Sequence, residues 1–508
     1  MWPLLYIIGL AVLVVLYCSK QIAKYLETRR FEKAHGCKPC KQLPQSERIL
    51  GWGLFRIQVK AAKDKKLLET SFNRYETVGN TWSAVLMGRH FINTRDPEII
   101  KTILATNFED WGLGKRIDSF GPLLGEGIFT TDGKQWEHSR ALVRPNFTRN
   151  QVADLETFET HINHLISRIP RNGETIDLQP LFFKLTLDSA TGFLFGQSVN
   201  SLSSVGDGES ETERFGKAFD MAQKEMDKSN RALKRFAFRE SEFEQSCRIV
   251  HEFVDKIVNK ALEQTASDDT EKIIDGKEHV HKYIFLNEMV KATRDPKRIR
   301  DELLNILLAG RDTTAGLLSN TFHVLARRPD IWENLKAEVD ELYGQKPDYD
   351  TLRNMRYLRN LLNECLRLYP VVPSNARFAN KATTIPHGGG PDGLSPVFIP
   401  KGGIVAYSVY AMHRRKDIFG SDAEEFKPER WEATDPPLRP GWGYLPFNGG
   451  PRICVGQQFA LTEASYTIVR LLQEFGGIEN RDETQWVEQL ALTLSSGNGV
   501  KVALTPRT

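Results

Sequence analysis

The alternation of apolar and polar positions along this chain predicts a mostly helical protein with a small β region. It begins with an apolar run, Leu4 to Leu16, inside a segment, Met1 to Ser19, that has no charged side chain. A helix of ~18 residues is about 27 Å long, enough for a thin bilayer. Residues 1–19 are therefore expected to form a transmembrane anchor, with Trp2, Tyr6 and Tyr17 towards its ends. Lys20, Lys24, Arg29, Arg30 and Lys33 follow, so the positive-inside rule puts the rest of the chain in the cytosol. A cleaved signal peptide needs a basic start and a small-residue cleavage site, and the segment offers neither. Residues 20–44 read as a basic juxtamembrane segment and a stiff proline hinge containing Gly36, Pro39 and Pro44. Residues 45–508 are expected to be one large domain.

Within that domain, apolar residues recur at helical spacing over 151–169, 178–196, 213–232, 240–265 and 298–327. Asp96-Pro97-Glu98 predicts a helix start, with Pro in the first turn. Ser201 to Glu213 and Ser267 to Lys277 read as loops, and Ala433 to Gly443, with three prolines, as an irregular connection. Strand patterns are confined to 81–94 and to 384–409 around Gly388-Gly389-Gly390. The sequence has no internal repeat.

Composition adds limits rather than identity. A net charge of +3 over 508 residues gives no sign of a nucleic-acid partner. The six cysteines are sparse and irregular, unlike a secreted disulfide framework, so a reducing compartment fits. Cys37-Lys-Pro-Cys40 has redox or half-zinc spacing, but no second pair supports it, and a proline hinge that happens to hold two cysteines explains it as well.

Four motifs carry chemistry. Phe447-Asn-Gly-Gly450-Pro-Arg452-Ile-Cys454-Val-Gly456 stands near the C-terminus. Glu364-Cys-Leu-Arg367 lies on a helix, at i, i+3, and Phe426-Lys-Pro-Glu-Arg430-Trp431 follows it. Trp136-Glu-His-Ser-Arg140 puts Trp136 and Arg140 on one helical face. Ala309-Gly310-Arg311-Asp312-Thr313-Thr314 interrupts a long apolar helix with residues that disfavour a helix interior. Taken singly, each has a plainer reading: a buried free cysteine, a solvated ion pair, a threonine bonded back to the i−4 carbonyl.

Together, in this order, they resemble the cytochrome P-450 superfamily, across nearly the whole chain. The resemblance implies that Cys454 is the axial thiolate ligand of haem b iron, on a loop where Gly450 permits a sharp turn and Gly456 lets the next helix approach the porphyrin. Phe447 would shield the sulfur. Arg140, Arg377 and Arg452 would pair with the haem propionates, with Trp136 beside them. Glu364, Arg367 and Arg430 would form a buried ion-pair lock. The helix holding Gly310 would cross above the haem, and Asp312 and Thr313 would deliver protons for cleavage of the O–O bond. Trp111 to Arg116, Pro122 to Phe129, Arg144 to Phe147 and Gln457 to Leu461 further resemble the fungal alkane and fatty-acid ω-hydroxylase branch.

The activity so implied is a monooxygenase of the endoplasmic reticulum membrane. It uses O2 and electrons passed from NADPH through a cytochrome P-450 reductase, with cytochrome b5 as a further donor. The substrate is lipophilic, a long-chain fatty acid or n-alkane hydroxylated at its end. Gly121 to Phe129 would line its pocket, and Lys134, Arg140 and Arg452 would serve reductase docking. The alternatives are a secondary-metabolite monooxygenase, a haem-thiolate isomerase or hydroperoxide-using enzyme, and an inactive haem binder. Asp312-Thr313 argues against the last two.

Overall fold

The computed structural model describes residues 2–148, 155–203, 210–226, 241–271, 284–432 and 437–507. Helix α1 (Trp2–Ala34) joins the expected anchor and the basic segment without a break at residue 19. It is long and apolar enough to cross a membrane, and its side chains from Gly9 to Leu26 stand exposed. The proline segment after it does not hang free. Lys38 N–H donates to Pro396 O at 2.9 Å, Gly390 N–H donates to Pro39 O at 3.0 Å, and Cys40 bridges to Gly389. The hinge is thus docked on the hairpin Thr383–Gly389/Ser395–Ile399.

The predicted helices form with shifted ends. Leu178–Phe195 matches, and Glu156–Ser167, Glu211–Met226 and Glu242–Glu271 stand where 151–169, 213–232 and 240–265 were expected. Residues 151–154, 227–232 and 240 of those expectations lie outside the described residues, as do 204–209, 272–277 and 433–436 of the expected loops and connection. Glu211–Glu213 and 267–271, expected as loop, are helical. Asp96 caps its helix as its motif predicts, accepting from Glu98 N–H at 2.9 Å.

The helices that position the site are α2 (Arg116–Leu124), α3 (Gly133–Val143), α4 (Leu178–Phe195), α5 (Glu211–Met226), α6 (Pro296–Leu325), α7 (Arg356–Leu368) and α8 (Gln457–Glu474). Asp295 and Pro296 start α6: the Asp295 carboxylate accepts from Lys297 N–H at 3.0 Å, and Pro occupies the first turn. Buried along most of its length, charged residues included, α6 runs through the interior. One core cluster meets it up to Leu308, with Leu123, Leu124, Phe215, Phe219 and Val250. Another meets it from Ala315 onward, with Phe182, Leu361, Ile468 and Leu471. Residues 309–314 belong to neither cluster.

The main sheet has five strands: β1 (Thr81–Leu86), β2 (Arg89–Thr94), β3 (Trp111–Gly112), β4 (Ser374–Ala379) and β5 (Ile404–Ser408), in the order β1-β2-β5-β4-β3. Only β2 and β5 pair in parallel. The C-terminal strands Phe475–Asn480 and Lys501–Pro506, paired through Val502↔Asn480 and Leu504↔Ile478, were not expected from the sequence.

Candidate active site

Cys454 sits on the turn between a 3-10 segment, Gly450–Arg452, and α8. Its N–H donates to Phe447 O at 3.0 Å, and Ile453 N–H donates to Gly450 O at 3.0 Å. Gly450 has φ +69°, and a Cβ there would lie 2.0 Å from Leu104 O. The loop thus passes closer to the Leu104 backbone than any side chain permits. Upstream, Tyr407 OH donates to Asn448 Oδ1 at 3.0 Å and Leu445 N–H donates to His413 Nε2 at 2.8 Å.

The Cys454 side chain is accessible, yet burial is the main influence on its thiol and raises its pKa. Both hold if the sulfur faces a protein-walled space rather than the outer surface. The Gly456 N–H and the Arg140 charge act in the opposite direction, favouring the thiolate. Gly456 itself has nothing nearer its Cβ position than Phe147 at 3.7 Å, so packing within the protein does not demand glycine there.

Beside this space is an unbalanced group of cations. Arg452 donates to Asp132 Oδ1 at 2.6 Å and to Thr131 O at 3.1 Å, and stacks over Trp136 at 4.3 Å. Burial, with Arg377, Arg116 and Arg140 nearby, holds it down at about 10 despite Asp132. Arg116 is also held at about 10, by burial first and then by Arg377. It donates to Asn375 Oδ1 at 2.9 Å, and the buried Arg377 donates to Ala376 O at 2.9 Å. Arg140 donates to Ile453 O at 2.9 Å and lies over Trp136. Four guanidinium groups thus influence one another with Asp132 as the carboxylate among them, and two further anionic groups would offset most of the remaining charge. The two propionates of haem fit that demand, and the accessible thiol fits its iron.

The sequence motifs named Arg140, Arg377, Arg452 and Trp136. The structure adds Arg116, whose partner Asn375 is 259 residues away, and Asp132. Arg452 is turned inward, its side chain 9% exposed, so it is not available for the docking role expected of it.

On α6, residues 301–325 are buried except for Ala309, Gly310 and Thr313, which are incompletely covered. Thr313 follows Ala309 by four residues and Gly310 by three, so it shares a face with each. A Cβ on Gly310 would meet only Ala190 Cβ, at 3.8 Å. The helix runs unbroken through this point, and Thr313 Oγ1 donates to Ala309 O at 2.7 Å. The plainer back-bonded arrangement is therefore present, with the Thr313 oxygen left free to accept. Asp312 points elsewhere, into a charged network. Its carboxylate lies 3.4 Å from Arg311, which pairs with Asp220 and donates to Gln223 Oε1 at 3.0 Å. Burial pushes Asp312 up to about 6, with Asp220 adding to the shift and Arg311 opposing it. Asp220 is 55% exposed, so the network runs from the interior to solvent.

The ion-pair lock is also formed. The buried Glu364 carboxylate accepts from Arg367, from Arg430 Nε at 3.3 Å, from Trp431 Nε1 at 2.9 Å and from Lys427 N–H at 2.9 Å.

The profile of the cytochrome P450 family matches residues 46–498. The chain belongs to the cytochrome P450 family. Among similar proteins, this cytochrome P450 is 49% identical to cytochrome P450 monooxygenase himC of Aspergillus japonicus over 476 residues, 92% of this chain and 84% of that protein. It is 45% identical to cytochrome P450 52A13 of Debaryomyces hansenii, over 97% of each chain. It is 47% identical to cytochrome P450 52A1 of Candida tropicalis, over 87% of this chain and 82% of that protein. It is an oxidoreductase of the monooxygenase class, behind an N-terminal helix suited to a membrane.

Proposed function

We propose that this cytochrome P450 hydroxylates the terminal carbon of long-chain fatty acids or n-alkanes, using haem b, O2 and electrons from NADPH through a reductase, with cytochrome b5 as a second donor. It is anchored in the endoplasmic reticulum membrane by residues 1–19, joined through 20–44 to a catalytic domain, 45–508. The observation that carries the reading is the four-arginine cluster, short of anionic partners, beside the accessible Cys454. The substrate class rests on the motifs shared with the ω-hydroxylase branch, and a membrane anchor suits substrates that partition into lipid.

Haem, when bound, supplies the redox-active iron at which O2 is reduced, one oxygen atom going to the C–H bond and the other leaving as water. The Cys454 sulfur is its ligand, with Phe447, Gly450 and Gly456 shaping the loop that presents it. Arg116, Arg140, Arg377 and Arg452 hold the propionates, with Trp136 packed against two of these guanidinium groups. Water formation consumes two protons. Asp312, held by Arg311 in the charged network that meets solvent at Asp220, takes them up, and Thr313, with its oxygen open as an acceptor, passes them into the space beside Ala309 and Gly310.

Product analysis by mass spectrometry tests this, with the full chain, a reconstituted reductase, and a panel of fatty acids, alkanes, aromatics and terpenoids. Terminal alcohols of the long-chain substrates are expected. Oxidation confined to the aromatics or terpenoids would overturn the substrate class. Turnover with hydroperoxide alone would overturn the reductase dependence. Cys454→Ser should abolish both activity and the long-wavelength carbonyl band.

A further inference from the structure

The loop between α2 and α3 is fastened to α6 by its backbone. Glu126 N–H donates to Asp301 Oδ2 at 3.0 Å, Ile128 N–H to Glu302 Oε2 at 3.3 Å, and Phe129 N–H to Asn305 Oδ1 at 3.0 Å. The Asn305 amide also returns a bond, donating to Leu124 O at 2.9 Å. Three side chains of one helix thus hold three amides of one short loop, and all three side chains are buried. The charges of the two carboxylates are met by Lys297, Arg298 and Arg300, and the neutral Asn305 bonds the loop at Leu124, where it begins, and at Phe129, midway along it.

The glycines show how close the approach is. A Cβ on Gly125 would lie 2.1 Å from the Asp301 carboxyl carbon, and one on Gly127 would lie 2.2 Å from Asn305 Nδ2. Thr130 completes the loop, donating to Gly125 O at 2.8 Å and accepting from Gly127 N–H at 2.9 Å.

Asn305, Ala309 and Thr313 lie four residues apart, on one stripe of α6. Each step is about 6 Å along the axis, so the Phe129 backbone is pinned roughly 12 Å from Thr313. Phe129 is only partly buried, like Ala309 and Thr313 on that stripe.

We propose that Asn305 is a positioning residue that sets regioselectivity, by fixing Phe129 as the wall that steers the far end of a long-chain substrate towards Thr313. The inference rests on the long-chain substrate reading above. Losing the clamp leaves the Phe129 N–H and Leu124 O without their partner, and the wall shifts. Displacements near 1 Å are enough to redirect which carbon reacts.

The test uses full-length holoprotein and four forms: native, Asn305→Ala, Phe129→Ala and the double variant. Dodecanoic acid is the substrate, and the ratio of terminal to subterminal alcohol is the readout. Each single variant should lower that ratio about tenfold, and the double variant should match the singles rather than multiply them. The carbonyl spectrum should be retained. An unchanged ratio in Phe129→Ala overturns the proposal even if Asn305→Ala fails to fold, and so do multiplicative effects. The clamp is also read without substrate. Amide exchange over 125–131 should speed up about tenfold in Asn305→Ala, and unchanged exchange overturns the clamp. A native enzyme that oxidises no fatty acid or alkane would instead sink the substrate reading, with the exchange result still judging the clamp.

Discussion

Glu364 and Arg367 are joined by two hydrogen bonds, Nε to Oε2 at 2.8 Å and Nη2 to Oε1 at 2.7 Å, with neither side chain exposed. Arg367 also reaches His413 O at 2.9 Å and Glu425 O at 3.0 Å, so the pair ties α7 to the segment leading to the cysteine loop. Glu364→Ala would strand Arg367 without its carboxylate and leave Arg430 with Asp422 alone. A buried charge left alone costs about 3–5 kcal/mol. The variant should express with little haem and lose its carbonyl band at lower denaturant than the native protein. Haem content per chain checks this, and native-like retention would mean the pair is dispensable.

Asp312 is held at about 6 mainly by burial, so its proton-donating form falls away as pH rises through that value. If Asp312 feeds protons inward, turnover under saturating substrate should decline over the same range. Asp312→Asn should be slower, by about 100-fold, and its residual rate should lack that limb. Thr313→Ala should keep the carbonyl spectrum but divert electrons from NADPH into peroxide. Measuring product, peroxide and NADPH together decides it: tight coupling in Thr313→Ala would remove Thr313 from the relay.

What the sequence made legible was local. The Asp96 cap, the Cys454 turn and the apolar stripes of α4 and α6 all rest on residues close to one another in sequence. What it hid was distant. Arg116 is explained by Asn375, on a strand 259 residues on. The strand Phe475–Asn480 carries Gly476 and Gly477 and finds its partner only at Lys501–Pro506, so neither piece has enough pattern alone. Asp301, Glu302 and Asn305 look like the wet side of a helix. They are buried because a loop of backbone amides takes the place of water. The docked hinge was missed for a related reason: its bonds are to a hairpin more than 300 residues on.

Glu463 on α8 is buried near Ser189 and Thr314, and burial pushes it up to about 8, with those hydroxyls offsetting only part of the shift. An acid raised in the folded state stays protonated there while the unfolded chain ionises. Its contribution to stability is therefore full below about 4.5 and is lost as pH rises to about 8. Glu463→Gln removes that dependence. The variant and native protein should melt alike near pH 5, and the variant should melt higher at pH 8. Thermal loss of the carbonyl band at both values is the measurement, and parallel curves would show that Glu463 does not titrate in this range.

Gly310 and Gly450 make opposite predictions for the same change. At Gly450, φ is +69° and the new methyl would lie 2.0 Å from Leu104 O, a backbone atom with no rotamer to move. The left-handed conformation alone costs about 1–2 kcal/mol for a non-glycine residue. Gly450→Ala should therefore displace the cysteine loop and lower haem content. At Gly310, the nearest heavy atom to the methyl is 3.8 Å away, and replacing glycine inside a helix stabilises by about 0.5–1 kcal/mol. Gly310→Ala should melt at or above the native temperature and keep its haem, because no protein atom occupies the space the methyl enters. Its effect should fall on substrate instead, as weaker binding in spectral titration with dodecanoic acid. Destabilisation or haem loss in Gly310→Ala would mean that this face of α6 is packed against protein, and the space assigned to the reaction would have to lie elsewhere.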